Sequence, residues 1–361
     1  MKSAFLVGPK TIELREVPPP ECPADGLVLQ VRACGVCGSD LRRWAEGPPP
    51  GTPHLVQGHE LAGEVVETGA EVTRFRVGDR LAVAPDIHCG ACWYCRRGRF
   101  NLCTSLQLLG ITPGLNGGFA DCVRLDGSLL RHGIIHPMPE GLSFHEGGLA
   151  ETLSSVLAAH AQCGTSLGET VVVLGAGPIG CLHVVIARAR GASVIVSEPN
   201  PIRRTGAARF APAAILDPSQ QDVVAEVRRL TDGLGADVVV CANPAAAAQT
   251  QAVELGRRGA RIVMFGGLPK ANPMVSLNAN LIHYGEQVVM GAFSYHPRFH
   301  EEALRVLERK TVDASQFITH TRPLSHVAEA FRIAASGEAL KVMVEPDAPS
   351  NARSTRFPDK L

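Results

Sequence analysis

Short apolar runs broken by Gly and Pro fill the first 150 residues, and those at 27–33, 62–67, 80–84 and 119–123 read as strands. This part of the chain is therefore predicted to be a strand-rich, partly barrel-like domain. From about Leu153 the pattern changes. Apolar runs at 170–174, 193–197, 237–241 and 261–265 read as buried strands, and the stretches 179–190 and 223–231 between them read as helices. Strand-helix alternation implies a parallel, doubly wound sheet, so the expected class is α/β. After Gly291 the pattern breaks again, predicting helices at 299–309 and 327–336 and a last strand at 341–344. The Ala-rich 245–248 is read as a helix start, and the polar, Pro-containing tail from Pro346 as loose.

Length and charge narrow the class. A chain of 361 residues exceeds the comfortable size of one hydrophobic core, which predicts two domains. Lys plus Arg equals Asp plus Glu at 35 each, so no global field favours nucleic acid or an anionic membrane. A small-molecule partner is expected instead. The apolar stretch near Met1 is too short for a signal peptide, and no apolar run approaches the roughly 20 residues of a membrane span, which predicts a cytoplasmic protein. In that compartment the eleven cysteines read as metal ligands and small core side chains, the latter being Cys22, Cys34, Cys122, Cys163, Cys181 and Cys241.

Four cysteines carry the strongest chemical signal. Cys89, Cys92, Cys95 and Cys103 have gaps short enough for their sulfurs to reach one tetrahedral zinc, whereas disulfides at this spacing would be strained. Such a closed site stabilises a loop and catalyses nothing. A second signal is Gly175-Ala-Gly177-Pro178-Ile179-Gly180, placed between a predicted strand and helix. Its glycines allow a tight turn, close approach of a pyrophosphate and close helix-strand packing, with the helix N-terminus supplying N–H donors. Glu198 ends the next strand 18 residues later, where a carboxylate accepts from ribose hydroxyls and repels a 2′-phosphate, so NAD is expected over NADP. Arg203 and Arg204 nearby weaken that exclusion, and Arg203 is counted with the cofactor site. A third set is Cys37, His59 and Glu60, whose thiolate, imidazole and carboxylate suit an open zinc site with room for substrate.

Taken in order, Gly58-His59-Glu60-x-x-Gly63-x5-Gly69-x-x-Val72, the cysteine lobe and Gly175-x-Gly177-x-x-Gly180 resemble the zinc-dependent medium-chain dehydrogenase/reductase family. The segments 150–157, 291–297 and 318–324 look most like its sorbitol and polyol dehydrogenase branch. The resemblance implies a GroES-like catalytic domain over 1–152, a Rossmann domain over 153–292 and a return to the catalytic fold over 293–361, with the active site in the cleft. It places a catalytic zinc on Cys37, His59 and Glu60, with Glu151 or a water completing the set, and makes Ser39 the hydroxyl that takes the alcohol proton. Hydride would then pass from the alcohol carbon to the nicotinamide. A homodimer or homotetramer is also implied. Arg42, Thr152 and Ser294 depart from the pattern, standing where relatives have a histidine, a proline and, in sorbitol dehydrogenases, an arginine. They point away from sorbitol itself.

The remaining residues read more plainly. His54 and His88 are expected to be polar loop residues, and Trp93 and Tyr94 to pack within the cysteine lobe. Phe293 and Tyr295 suit either a pocket wall or a core. Lys341 suits either a cofactor phosphate or the surface. Two other activities fit the same residues: oxidation of L-threonine or a sugar phosphate on the same machinery, and a non-catalytic NAD- and zinc-binding protein.

Overall fold

Two large sheets, a small three-stranded sheet of Lys2–Gly8, Thr11–Glu16 and Leu55–Val56, and one buried helix organise the protein, described by a computed structural model over residues 1–52 and 55–347. His54 and the tail from 348 onward lie outside the described residues. Strands Leu27–Gly35, Glu60–Thr68, Arg80–Ile87, Gln107–Leu108, Cys122–Leu125, Gly133–Pro137, Ile318–Pro323 and Lys341–Glu345 form an eight-stranded, mostly antiparallel sheet. The run at 119–123 is a strand only from Cys122 onward. Lys341–Glu345 pairs antiparallel with Leu27–Gly35 through Met343↔Gly35 and Val344↔Cys34, which carries the end of the chain back to its beginning.

The second sheet is parallel and six-stranded, in the order Ala214–Leu216, Ser193–Ser197, Thr170–Leu174, Ala236–Cys241, Gly256–Met264, Val288–Gly291. Val171, Val172 and Val173 are buried on both faces, as a central parallel strand with helices on either side requires. Chain order reverses between Thr170–Leu174 and Ala236–Cys241, so a crevice opens beyond the carboxyl ends of these strands. The Asn243 amide donates to the Leu174 carbonyl across that gap at 2.8 Å.

A 20-residue helix, Phe144–Cys163, joins the two sheets and crosses the position where the sequence texture changes. Ser143 caps it through a reciprocal bond with Glu146, and Gly164 ends it in the left-handed conformation. Leu149, Leu153, Val156 and Leu157 share one core with Val171 and Val173 of the parallel sheet and with Phe299 and Leu304 of the helix Arg298–Glu308. An element buried on most of its faces, with polar residues such as Thr152, Ser154 and His160 among the buried ones, shows no 3.6-residue period, which is why the pattern of the sequence does not announce it. Five of the six cysteines read as core residues are buried, while Cys22 is only half-buried. Among the described residues, no helix is long and apolar enough to cross a membrane.

Candidate active site

The open metal cluster sits where two neighbouring strands begin and end. Glu60 is the first residue of Glu60–Thr68 and pairs with Gly35, the last residue of Leu27–Gly35. A Cβ on Gly35 would lie 2.1 Å from Glu60 Oε2, so only glycine lets the carboxylate lie across this register. Gly58 adopts φ +100°, and a Cβ there would strike Cys34 Sγ at 2.7 Å. That turn delivers His59 beside Cys37, which caps the helix Gly38–Glu46. The ligand atoms of Cys37, His59 and Glu60 all lie within 4.8 Å of one another. Thiolate, imidazole and carboxylate at this separation fit an open zinc site.

Behind the cluster lies a buried polar shell that the sequence reading missed. Asp40 is fully buried, with Oδ2 accepting from the Cys37 N–H at 3.0 Å and Oδ1 3.5 Å from His59 Nδ1. A carboxylate facing the far nitrogen of a ligating imidazole sets its orientation and basicity. Ser39 Oγ stands 3.3 Å from His59 Nε2, on the ligand side of the ring. Lys341 belongs neither to the surface nor to a cofactor phosphate. It is 3% exposed, and its Nζ donates to Glu60 Oε1 and Oε2 at 2.7 and 2.6 Å. The Thr152 hydroxyl donates to Glu60 Oε1 at 2.9 Å. Burial pushes the Glu60 carboxyl up, but the charges of Lys341 and His59 outweigh it and hold Glu60 below the usual range.

Glu151 stands apart from this triad in hydrogen bonding: its Oε1 accepts from the buried Tyr295 hydroxyl at 3.0 Å. Burial, followed by the charge of Glu60, pushes Glu151 up to about 7. Phe293, by contrast, is 58% exposed and belongs to no core. Asp86, on the strand Arg80–Ile87, is buried and accepts a hydrogen bond from the Ser294 hydroxyl. That bond leaves no mark in the sequence, because 208 residues separate its partners.

The glycine-rich turn has the shape of a phosphate cradle. Gly180 packs so closely that a Cβ would lie 1.9 Å from the Gly175 carbonyl, whereas a Cβ on Gly177 would meet nothing within 4 Å. The helix Pro178–Ala189 starts at this open point, with Ile179 half-buried in its first turn. Glu198 is buried and preset, its two oxygens accepting from the Ala176 and Asn200 N–H groups at 2.7 and 2.9 Å. Arg204 pairs with Asp217 at 2.7 Å and donates to the carbonyls of Glu198 and Pro199. The Arg203 guanidinium packs beside Gly337, at the end of the helix Val327–Ser336.

In the cysteine lobe, the sulfurs of Cys89, Cys92, Cys95 and Cys103 lie within 4.8 Å of one another. Backbone N–H groups of Cys89, Cys92, Cys95 and Ser105 point at three of them, as thiolates around one zinc require. Trp93 is exposed under the Arg97 guanidinium, and His88 stacks on Phe100.

Residues 23–138 match the family described as the alcohol dehydrogenase GroES-like domain, and 178–309 the family described as zinc-binding dehydrogenase. The chain is 32% identical over 355 residues to the sorbitol dehydrogenase of Bacillus subtilis (strain 168), covering 96% of this chain and 98% of that one. It is 33% identical over 331 residues to the D-arabitol-phosphate dehydrogenase of Enterococcus avium, covering 90% and 91%. A candidate zinc-binding dehydrogenase from Sinorhizobium meliloti 1021, solved bound to NADP, superposes with a TM-score of 0.87 at 32% identity, covering 96% and 99%. The GroES-like and zinc-binding matches, the near full-length relatives and the two-sheet architecture agree: the chain belongs to the zinc-dependent medium-chain dehydrogenase/reductase family, near its polyol dehydrogenases.

Proposed function

We propose that the protein oxidises a secondary hydroxyl of a polyol or cyclitol, with NAD as hydride acceptor. The observation that carries this reading is the Cys37, His59 and Glu60 set, backed by Lys341 and Thr152, with Glu151 near enough to feel the charges of Glu60 and His59. When bound, zinc supplies the Lewis acidity that lowers an alcohol's pKa, and the dinucleotide supplies the hydride acceptor. Ser39 is placed to accept the alcohol proton. It lines a crevice of about 140 Å³ with Arg42, Arg43, Gln57 and Lys270, through which the proton reaches solvent. The Tyr295 hydroxyl donates to Glu151 Oε1 and so fixes that carboxyl group. Lys341 fixes the Glu60 carboxylate, and Asp40 fixes the His59 ring.

The preset Glu198 carboxylate and the engagement of Arg204 with Asp217 support NAD over NADP. The sorbitol dehydrogenase relative supports an uncharged polyol. A phosphorylated polyol is the second reading, favoured by Arg42, Arg43 and Lys270 around the crevice and by the D-arabitol-phosphate dehydrogenase relative. Val288 and Val289 are exposed on the edge strand Val288–Gly291, which supports a homodimer or homotetramer formed by strand pairing. A cytoplasmic site of action fits the cysteine chemistry. The test is reduction of NAD or NADP by the zinc-replete protein with polyols, inositols, secondary alcohols, phosphorylated polyols and threonine. Chelator-sensitive reduction of NAD with a polyol or cyclitol is expected, and silence across the panel would sink the proposal.

A further inference from the structure

A cavity of about 410 Å³ opens between the cysteine lobe, the second half of the helix Phe144–Cys163 and the segment 292–299, and the dehydrogenase chemistry leaves it unused. Its walls are braced. The Asn101 amide donates to the Phe293 carbonyl at 2.8 Å and the Gln162 amide to the Gly291 carbonyl at 3.1 Å, so lobe and helix hold the same segment. The lining is one-sided in charge: Arg99, His296 and Arg298 belong to it, and no Asp or Glu does. Neither guanidinium has a carboxylate partner among the described residues. Arg298 lies over the Phe299 ring at 4.7 Å, a stacking that leaves the N–H edge of its planar fork unspent. The Arg298 backbone N–H donates to His296 Nδ1 at 3.1 Å, so the neutral imidazole carries its proton on Nε2 and offers it as a donor.

Position ties this cavity to the open metal cluster. Glu151, Ala158 and Gln162 are spaced i, i+7 and i+11 and so share one stripe of the helix, with Ala158 about 10 Å from Glu151 along its axis. Tyr295 joins the two places, since it lines the cavity and its hydroxyl donates to Glu151 Oε1 at 3.0 Å. A chain-like substrate with one hydroxyl at the cluster therefore reaches the cavity with its far end.

We propose that this cavity is an anion subsite, in which Arg99, Arg298 and the His296 Nε2–H hold the terminal phosphate of a phosphorylated polyol whose secondary hydroxyl is presented to Cys37, His59 and Glu60. This rests on the dehydrogenase reading and deepens it, favouring a phosphorylated polyol over an uncharged one. A phosphate monoester suits the lining better than a carboxylate does, because its greater charge and additional acceptor oxygen meet two unpaired guanidinium forks and an imidazole N–H.

The experiment measures kcat and KM of the zinc-replete enzyme and of its Arg99→Met and Arg298→Met variants on matched pairs: sorbitol and sorbitol 6-phosphate, xylitol and xylitol 5-phosphate. The wild type should favour the phosphate of at least one pair by roughly 10-fold or more in kcat/KM. Its KM for that phosphate should rise as potassium chloride goes from about 0.05 to 0.5 M, with a much smaller change for the parent polyol. Each arginine variant should lower the phosphate-to-polyol ratio of kcat/KM by about 10- to 100-fold, chiefly through KM, because charge-assisted hydrogen bonds are lost. A ratio unchanged in both variants would overturn the assignment. If Lys270→Met lowered it instead, the phosphate would belong to the crevice beside Ser39. A wild type that favoured the uncharged member of every pair would overturn the assignment too, whether or not the variants fold, and in all these cases the dehydrogenase reading stands. A wild type silent on all four probes would remove the polyol reading and the assignment together.

Discussion

The cysteine lobe and the open cluster both gather metal-ligand side chains, but they are built on opposite plans. The lobe takes its four sulfurs from a single stretch of 15 residues and turns backbone N–H groups toward them. The open cluster takes Cys37 from a helix cap and His59 and Glu60 from a strand start, and it is braced by Thr152 and Lys341 from distant segments. The first is closed by sulfur and serves the loop that carries it. The second spends buried charge on positioning and leaves a face open. Local ligation builds a staple, whereas ligands braced across the whole chain build a site that can be held in shape while substrate comes and goes.

The comparison breaks first on activity. Cys37→Ser or His59→Ala should cost about 10³-fold or more in kcat/KM while one zinc per chain remains, as read by metal analysis. Full turnover in either variant would remove the open cluster from the chemistry. Cys95→Ser should show the reverse order of events. One zinc is lost, and the thermal midpoint falls by on the order of 10 °C, because binding energy of a structural zinc is folding energy. Activity should then decline with unfolding and not before it. If Cys95→Ser lost activity at temperatures where the circular dichroism spectrum was unchanged, the lobe would have to be more than a staple.

What the sequence reveals follows the same division. The lobe is legible because its ligands are neighbours, and the glycine turn because its spacing is local; the strands at 170–174 and 193–197 are legible because their apolar runs stop at Gly175 and at the polar Ser197-Glu198 before Pro199. Cys37, His59 and Glu60 are legible as ligands, yet their bracing is not. Asp40 lies in the first turn of the helix Gly38–Glu46, where it also accepts the Cys37 N–H, and nothing in its sequence setting marks it as a partner of His59. Thr152 lies 92 residues from the carboxylate it bonds, and the helix that carries it is buried on most sides. Lys341 did leave a signal. A lysine opening the otherwise apolar Lys-Val-Met-Val strand is out of place at the surface and, once buried, must find a carboxylate. Which carboxylate depends on the return of that strand to Leu27–Gly35, a tertiary fact.

The Lys341 brace is the next test in size. Lys341→Met removes one partner of a buried ion pair and leaves Glu60 without its cation, a change that costs about 3–5 kcal/mol in such settings. A fall in the urea midpoint is expected, with metal bound at the lobe unaffected. Lys341→Arg should recover only part of the loss, since the larger guanidinium must fit where Nζ reaches both Glu60 oxygens and Thr152 Oγ1 at 3.2 Å. If Lys341→Met were as stable as the wild type, the bracing picture of the open cluster would be wrong.

The smallest effect falls on Asp40, and it separates a positioning role from a merely structural one. Asp40→Asn keeps the volume and can still accept the Cys37 N–H at one oxygen, so the cap of Gly38–Glu46 and the fold should persist. What it loses is the negative charge 3.5 Å from His59 Nδ1. Loss of such a partner typically weakens metal affinity by 10- to 100-fold. Competition with a zinc chelator should therefore empty the open cluster of Asp40→Asn at lower chelator concentration than the wild type, while the lobe releases its ion at the same point in both. A stability loss with unchanged zinc affinity would assign Asp40 to the helix cap alone. Parallel weakening of both sites would mean that the two centres are coupled, and the distinction between a staple and a braced site would not survive it.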